Sequence, residues 1–226
     1  KGKELGRHQA CANVRGLAWL EAKKAVVVAC AEGEVLLMSP AGKVMEREQP
    51  AADLRDVLVT TAGRIFISTF REARLFELNQ DLKVINQFEP PTTADAVGAE
   101  LIPRVVWDLV EGTSGEVLTL HQHAATRELT STTSSSGSPA YYGNAGLPIV
   151  ETALTSFGDD GPTSTQGLPG EVLTVDADVD PNSGDVLLVS AGSFSFSRSA
   201  GAVREFGLME AQPIAGAFYD GNVVIQ

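Results

Sequence analysis

Short runs of apolar residues, or of alternating apolar and polar residues, recur along the chain between turn-forming residues. Runs such as "AVVVAC", "IFISTF" and "RLFEL" have the length of strands and are rich in β-branched and aromatic residues. Such residues favour β-strands, and no sustained helical period competes with the pattern. The pattern therefore predicts an all-β protein.

The runs also repeat. Residues 15–50 align with residues 55–90 without a gap, at an offset of 40, and their apolar blocks coincide throughout. Each unit contains four runs, which predicts four strands. A four-stranded unit with a period of about 40 residues is typical of a β-propeller blade, whereas a β-sandwich with accidental periodicity is the alternative.

The rest of the chain continues this series less regularly. Residues 149–157 are expected to form the last strand of a third unit, and a hairpin around Asp220-Gly221 opens a fifth unit. We therefore expect one propeller domain over residues 1–226, with four-stranded antiparallel blades in a small or incomplete ring of about five. The expected blades are 14–50, 54–90, 103–158, 171–208 and a partial 212–226, with residues 1–12 as a candidate closing strand. Strands are expected near 25–30, 34–38, 65–70, 74–78, 117–122 and 186–191.

Composition narrows the function classes. Hydrophobic residues make up 43% of the chain, which indicates a globular protein. The net charge of −12, without a basic cluster, argues against binding to nucleic acid or anionic membranes. The longest apolar run is too short to be inserted across a bilayer. Because the chain begins without Met and ends in the strand-like "GNVVIQ", we expect it to be processed or truncated.

Three arginines are the first candidates for a binding site. Arg15, Arg55 and Arg104 each precede a predicted innermost strand of a blade, here termed strand A. A ring of cations at the channel mouth could hold a carboxylate or a phosphate. Alternatively, each arginine ties its blade to acidic groups on the next, for which the candidates are Asp53, Asp56 and Asp108.

His121 and His123 are two residues apart, so a strand points both imidazoles to the same side. The interpretations left open are metal ligands, contacts to a substrate or partner, and a polar strand end with solvated rings. A metal site needs further ligands that the spacing does not supply, so we expect no structural metal here. The segment 124–148 is expected to be a long loop between the second and third strands of this blade, on the same face as the arginines.

Other motifs carry little chemistry. Asp176, Asp178 and Asp180 imitate the start of a calcium loop, but Pro181 and Leu187 occupy the positions where that loop requires Gly and Glu. The run is better interpreted as strand A entering a turn. The sequence contains no phosphate-cradling Gly-Lys motif, no G-x-S-x-G nucleophile elbow and no zinc-type cysteine pairs.

Five stretches carry a family resemblance: "CANVRGLAW", "PRVVWDLV", "LTLHQ", "IVETALTSF" and "QPIAGAFYDGNVVIQ". They resemble the YVTN-type propeller region of bacterial exported proteins in which a di-haem, cytochrome c peroxidase-like domain follows the propeller. The C-x-x-C-H haem-attachment motif of those proteins is absent, so no cofactor is expected in this chain, and a haem domain would lie beyond Gln226. The resemblance implies a periplasmic or extracellular location and a docking role beside a redox partner domain.

Cys11 and Cys30 are the only cysteines. In an exported chain, two cysteines are most simply a disulfide. Cys11 enters the first strand A and Cys30 ends the next strand of that blade, so both should reach the same face. Two free thiols are the alternative.

The expected function is a non-enzymatic binding module that presents its arginine- and loop-bearing face to a protein or a small anionic partner. The alternative is a propeller enzyme, a lyase or hydrolase, with His121, His123 and Arg104 near the channel. No third titratable residue is placed beside the histidines, which favours binding, and no catalytic residue is assigned.

Overall fold

The computed structural model of the protein describes residues 4, 6–126, 149–168, 173–190, 193–197, 203–207, 215–219 and 222–225. These residues form five antiparallel sheets, and the repeated units lie in separate sheets, which confirms the predicted all-β propeller. The helical content of the described ranges is one 3₁₀ turn at Glu21–Lys23, and no helix there could span a membrane.

The first two blades match the forty-residue repeat. Blade 1 contains β1 (Val14–Leu20), β2 (Ala25–Cys30), β3 (Val35–Met38) and β4 (Val44–Glu48), hydrogen-bonded in that order. Blade 2 contains β5 (Leu54–Val59), β6 (Ile65–Thr69), β7 (Leu75–Leu78) and β8 (Val84–Phe88). In each, the first strand is strand A and the next is strand B.

The third sheet is larger. Blade 3 contains β9 (Thr93–Ala94), β10 (Glu100–Glu111), β11 (Val117–Ala125), β12 (Val150–Gly158) and β13 (Gly161–Leu168). Here β10 is strand A, β11 is strand B, and the short β9 pairs with the beginning of β10.

The remaining sheets complete the described part of the ring. Blade 4 contains β14 (Thr174–Val179), β15 (Val186–Ser190), β16 (Ser193–Ser197) and β17 (Val203–Gly207). The fifth sheet is the hairpin of β18 (Gly216–Tyr219) and β19 (Asn222–Ile225). The turn residues Asp220 and Gly221 lie outside the described residues.

One strand prediction was wrong. Residues 149–157 belong to β12, which is the third strand of blade 3, and β13 is the outer strand. The sequence "GPTSTQGL" of β13 is polar because half of its residues are exposed at the rim, so it lacks an apolar signal. Residues 1–12 form no closing strand among their described members, 4 and 6–12.

The apolar runs form strands because neighbouring blades cover both of their faces. Between blades 1 and 2, Val27 and Ala29 pack against Ile65 and Ile67. Between blades 2 and 3, Phe66 and Leu75 meet apolar side chains of β10, β11 and β12: Val106, Leu109, Val117 and Phe157. Between blades 3 and 4, Leu120 meets Ala177 and Leu188. We call these contact zones seams.

A β-bulge interrupts strand A of each of blades 1 to 4 where it pairs with strand B. The register shifts occur at Val14/Gly16, Leu54/Asp56, Val106/Asp108 and Thr174/Asp176. The bulged residues are therefore Arg15, Arg55, Trp107 and Val175. A bulge leaves one residue unpaired and redirects its side chain.

The residue after the bulge links each blade to the next. The carboxylate of Asp56 accepts a hydrogen bond from the Leu109 backbone N–H at 3.0 Å, and that of Asp108 accepts one from Ala177 N–H at 2.9 Å. Asp176 likewise accepts from Gly216 N–H at 2.7 Å. A carboxylate on strand A thus holds the next strand A at three successive seams.

Blade 1 has Gly16 at this position. A Cβ there would lie 2.6 Å from the Val57 backbone N and 2.9 Å from the Asp56 Cα. Because those atoms are backbone, they cannot rotate away. The absence of a side chain at Gly16 is what lets the first two A strands approach so closely.

The Cys11–Cys30 disulfide is present, with Cα atoms 6.3 Å apart, as predicted. Cys11 and Ala10 pack against a cluster on blade 1 that includes Val28, Leu36 and Met38. The bond therefore fastens the N-terminal segment over one face of the first blade.

Substitution of Gly16 tests the strand spacing. We expect Gly16→Ala to lower the free energy of unfolding by ~1–3 kcal/mol, the usual range for overpacking. Gly158→Ala is the control, because its Cβ would meet only a side-chain methyl, of Thr163, at 3.2 Å. Urea unfolding of both variants measures the difference, and equal losses would contradict the close approach.

Removal of the disulfide tests its contribution. A Cys11→Ser, Cys30→Ser variant should lose ~3 kcal/mol of unfolding free energy, because the bond closes a loop of 19 residues in sequence separation. Thiol titration of unreduced, denatured wild-type protein should find no reactive thiol. Two reactive thiols would refute the bond.

Candidate functional site between blades 2 and 3

Two of the three candidate arginines serve the seams. The Arg15 guanidinium bonds Asp53 at 2.9 Å and the Leu54 carbonyl at 3.4 Å, and Arg55 donates to the Trp107 carbonyl at 3.0 Å. Each therefore reaches strand A of the next blade or the residue before it. Of the acidic partners proposed from the sequence, only Asp53 pairs with one of these arginines in the described structure.

Aromatic rings extend this network. The Phe70 ring lies 5.3 Å from the Arg15 guanidinium carbon and 5.6 Å from that of Arg55, and Arg55 also stacks 5.2 Å from the Trp107 ring. Phe70 and Trp107 meet edge to face at 5.2 Å. Cation–π contacts and hydrogen bonds together engage both arginines, leaving them poorly placed to hold a ligand.

Arg104 differs from the other two. The residue equivalent to Arg15 and Arg55 in blade 3 is Trp107, whereas Arg104 lies three positions earlier, at an additional bulge between Pro103 and Val105. The assignment of Arg104 to the same structural position was therefore wrong. Its side chain is exposed and makes no ion pair or hydrogen bond with any other residue that the structure describes.

Arg104 lines a groove of about 310 Å³ between blades 2 and 3. Three stretches of chain form it: the turn after β6, the connection after β8 and the first part of β10. The lining residues are Arg71, Glu72, Ala73, Arg74, Glu89, Pro90, Thr92, Ile102, Pro103 and Arg104. We call this the Arg104 groove.

The charges of the groove do not cancel. Arg74 bonds both acidic side chains of the lining, Glu72 at 3.0 Å and Glu89 at 3.1 Å. Arg71 is 79% exposed and lies 3.5 Å from Asp53, which already pairs with Arg15. Three guanidinium groups thus face two lining carboxylates, and Arg104 is the one without a partner among the described residues. The sequence "FREAR" held this signal, since it places Arg71 and Arg74 at one strand end.

His121 is buried rather than solvated. Its side chain is 0% exposed, and its Nε2 lies 2.7 Å from the Thr155 hydroxyl. Burial, and secondarily the neighbouring His123, lower the pKa of His121 to about 3. The ring is therefore neutral at neutral pH, and the solvated-strand-end interpretation was wrong.

His123 is also 0% exposed, directly behind the groove wall, because Pro103 is its partner on β10. Its Nε2 donates to the Pro91 carbonyl at 3.3 Å, which leaves Nδ1 to accept from the Thr93 hydroxyl at 3.4 Å. Burial lowers the pKa of His123. The connection that carries Pro91 and Thr93 covers the ring, a contact that the sequence repeat did not reveal.

Glu151 is the acidic neighbour of His123. Its carboxylate is 3.8 Å from His123 Nδ1, too far for a hydrogen bond. Burial, with the nearby charge of Asp95, raises the pKa of Glu151. A Cβ on Gly167 would lie 2.6 Å from this carboxylate, so the glycine provides its space. The pair is a buried polar contact rather than a strong ion pair.

The carboxylates at the three seams form a second polar feature. Burial raises the pKa of Asp56 and of Asp176, and it raises that of Asp108 well above its ordinary value, where the charges of Asp56 and Asp176 add to the effect. Asp178 accepts from the Phe218 N–H at 2.7 Å. The aspartate run thus lies on strand A and enters a turn, as predicted, with Asp180 accepting from Asn182 N–H.

One cluster of side chains in the described structure has the composition of a metal site. Within the described ranges, one group of metal-ligating side chains lies close enough together to share an ion, namely Cys11, Cys30 and Glu32. Its two sulfur atoms are joined in the disulfide, so no metal centre is assigned. That His121 and His123 bind no structural metal stays a prediction.

The long loop predicted at 124–148 connects β11 to β12. The Ala125 N–H donates to the Ile149 carbonyl at 2.9 Å, so the segment leaves and returns at the end of blade 3 that carries Arg104. Residues 127–148 lie outside the described residues.

Several solved structures have a similar fold. A streptogramin B lyase has a TM-score of 0.52 and 13% identity, covering 95% of this chain and 76% of that chain. The Pan2 WD40 domain of Neurospora crassa has a TM-score of 0.61 and 9% identity, covering 94% and 59%. Dihydro-heme d1 dehydrogenase NirN in complex with DHE has a TM-score of 0.58 and 17% identity, covering 94% and 42%.

These likenesses establish the β-propeller fold and nothing finer, because the identities are low. No protein-family model matches the chain, and no curated protein matches it in sequence.

The buried state of His121 predicts a pH effect. Its folded pKa of about 3 lies below the ordinary value of 6.5, so the unfolded chain binds a proton first as the pH falls. The contribution of neutral His121 to the free energy of unfolding is fully present above pH ~6.5. It is lost as the pH falls towards ~3, at up to ~1.4 kcal/mol per pH unit. We expect His121→Asn to remove this part of the pH dependence.

Urea unfolding of wild type and His121→Asn from pH 4 to pH 8 measures the effect. The raised pKa values of the seam aspartates act in the opposite sense, since their contribution is lost as pH rises, but they are common to both proteins and cancel in the difference. Parallel profiles would contradict the burial of His121.

Proposed function

We propose that the protein is a non-enzymatic propeller binding module whose Arg104 groove receives an acidic group of a protein or small anionic partner. The observation that carries this proposal is the guanidinium of Arg104, which has no partner among the described residues, in an open groove. Beside it lie Arg71, which shares Asp53 with Arg15, and Arg74, which bonds Glu72 and Glu89. Guanidinium groups match carboxylate and phosphate geometry.

The lining favours a partner that brings an apolar surface beside its acidic group. Ala73, Pro90, Ile102 and Pro103 supply apolar contacts next to the three guanidinium groups. The groove is built on strand ends and a buried turn residue, Ala73, which is 1% exposed. A rigid frame of this kind lowers the entropy cost of binding.

The geometry supports binding over the lyase or hydrolase alternative. A general acid or base must reach substrate, whereas His121 and His123 are 0% exposed. Lyase and lactonase structures among the similar folds share the architecture at 13% identity or less. Function lies in sites rather than in folds, so this likeness does not favour an enzyme.

We also propose a periplasmic or extracellular location, with a redox partner domain as the module's neighbour. The Cys11–Cys30 disulfide supports an oxidising compartment. The redox partner rests on the resemblance to YVTN-type propeller regions. One similar fold belongs to the dihydro-heme d1 dehydrogenase NirN, which is consistent with that setting.

Charge reversal at Arg104 tests the binding role. We would titrate the protein with citrate and, separately, with a short oligoglutamate peptide. Calorimetry gives the affinity, and the NMR signals of the arginine Nε–Hε groups show which arginines are contacted. Arg104→Glu should weaken binding by ~10–100-fold, the scale of ~1.5–3 kcal/mol for a charge-assisted hydrogen bond. A preference for the peptide over citrate identifies a protein partner.

Lys43→Glu is the matched control. It makes the same change of charge at an exposed residue in the turn between β3 and β4, on blade 1. Because the change of net charge is equal, the two variants differ only in whether the reversed charge lies in the groove. Equal losses in the two variants, or binding by neither wild type nor variants, would contradict the proposal.

A further inference from the structure

Among the buried polar atoms of the described residues that have no hydrogen-bond partner, three lie on strands B of blades 2 and 3, on the faces that meet at their seam. They are Ser68 Oγ, Thr119 Oγ1 and His121 Nδ1. Each of the three side chains belongs to a residue that is 0% exposed. An unpaired polar atom in such a place costs free energy, so native proteins rarely leave one there.

The register places the three atoms in one layer. Ser68 pairs with Asp56 on blade 2, and its equivalent on blade 3, Leu120, pairs with Asp108. Thr119 and His121 flank Leu120 and point to the opposite face of β11, towards blade 2. Ser68 shares its face of blade 2 with Phe66, which packs against Val117 next to Thr119 on that face.

The equivalent layers of the other seams are satisfied. Between blades 1 and 2, the positions of Ser68 and Thr119 hold Ala29 and Ile67, which belong to one apolar cluster. Between blades 3 and 4 they hold Leu120 and Leu188, while Ser190, in the position of His121, bonds Thr174 at 2.8 Å. Of the three seams compared, the seam between blades 2 and 3 is therefore the one with unpaired polar side chains in this layer.

We propose that this layer is a binding site for an internal water molecule, held by Ser68 Oγ, Thr119 Oγ1 and His121 Nδ1. Buried waters typically make about three hydrogen bonds to polar groups that would otherwise be unpaired. The three atoms supply that number, from both sides of the seam.

The chemistry of the layer selects water over an ion. His121 is neutral and both other groups are hydroxyls, so the site lacks the charge that would stabilise a bare cation or anion. The other ring nitrogen contacts Thr155 Oγ1, which in turn bonds Thr165 Oγ1 at 2.9 Å. Either direction of that chain leaves Nδ1 as donor or acceptor, and water can serve both.

The water would join β6 to β11 directly beneath the strand ends that carry the Arg104 groove. Its bonds replace apolar contact in that layer and fix the orientation of His121. It would therefore act as a structural ligand of the seam, independent of what the groove binds.

Two conservative variants test the site through the sign of their effect. In a hydrated layer, Thr119→Val and Ser68→Ala each remove a partner of the water, and each should lower Tm by about 2–4 °C. The double variant should lose less than the sum of the two, because the water is already lost after the first change. In a dry layer each change removes an unpaired hydroxyl, and Tm should rise.

Thr152→Val is the matched control. Its buried hydroxyl bonds Thr174 Oγ1 at 3.2 Å, so its replacement should lower Tm whether or not the layer is hydrated. A high-resolution crystal structure gives the direct answer, with one water within hydrogen-bond distance of all three atoms as the expected result. An empty layer, a density heavier than water, or a rise in Tm for both single variants would overturn the proposal.

Discussion

The structure depends on one constraint: a four-stranded blade has two apolar faces, and only a neighbouring blade can cover each of them. Two kinds of interaction at the seams satisfy this constraint. Their apolar side chains exclude water, and near the channel the carboxylates of Asp56, Asp108 and Asp176 bind backbone N–H groups of the next strand A. Burial of these carboxylates has a cost, visible in their raised pKa values, which the N–H bonds offset. Spacing and angle between blades are therefore set by directed bonds as well as by packing.

The bulge in strand A determines which side chains can contact the next blade. It turns one residue per blade out of the ladder, and the identity of that residue determines its task. Arg15 and Arg55 are long enough to reach the next blade, and their guanidinium groups are engaged in hydrogen bonds there. Trp107 takes the same position in blade 3 and receives Arg55. Arg104 stands outside this scheme because β10 begins earlier than the other A strands, and its extra length carries the side chain beyond the seam. A candidate binding residue thus arises where blade 3 departs from the repeat.

The sequence predicted the parts that depend on local pattern. Blades 1 and 2 and the inner strands of blade 4 follow from apolar periodicity. The disulfide follows from the presence of two cysteines in a chain expected to be exported. Prediction failed where tertiary contacts override the pattern. Strand β13 is polar because it lies at the rim, and Arg104 was misaligned because two bulges in β10 change the count of residues along the strand. The burial of the histidines was not predicted, because nothing local shows that the segment with Pro91 and Thr93 folds over His123.

The charge of the molecule bears on what the Arg104 groove can select. With a net charge of −12, the protein repels anions at long range, and over distances beyond ~10 Å salt screens that repulsion at physiological ionic strength. Within the groove three guanidinium groups face two carboxylates, and Arg104 has no partner among the described residues, so attraction acts only at contact. A small free anion gains only the attraction to the guanidinium groups at contact, and the acidic surface around the groove repels it as it approaches. A protein that carries an acidic group on an otherwise neutral or basic surface gains both terms, because its wider surface complements the acidic module while the acidic group enters the groove. For the binding role proposed above, the combination of a negative molecule with a local positive groove therefore favours a protein partner over a simple anion.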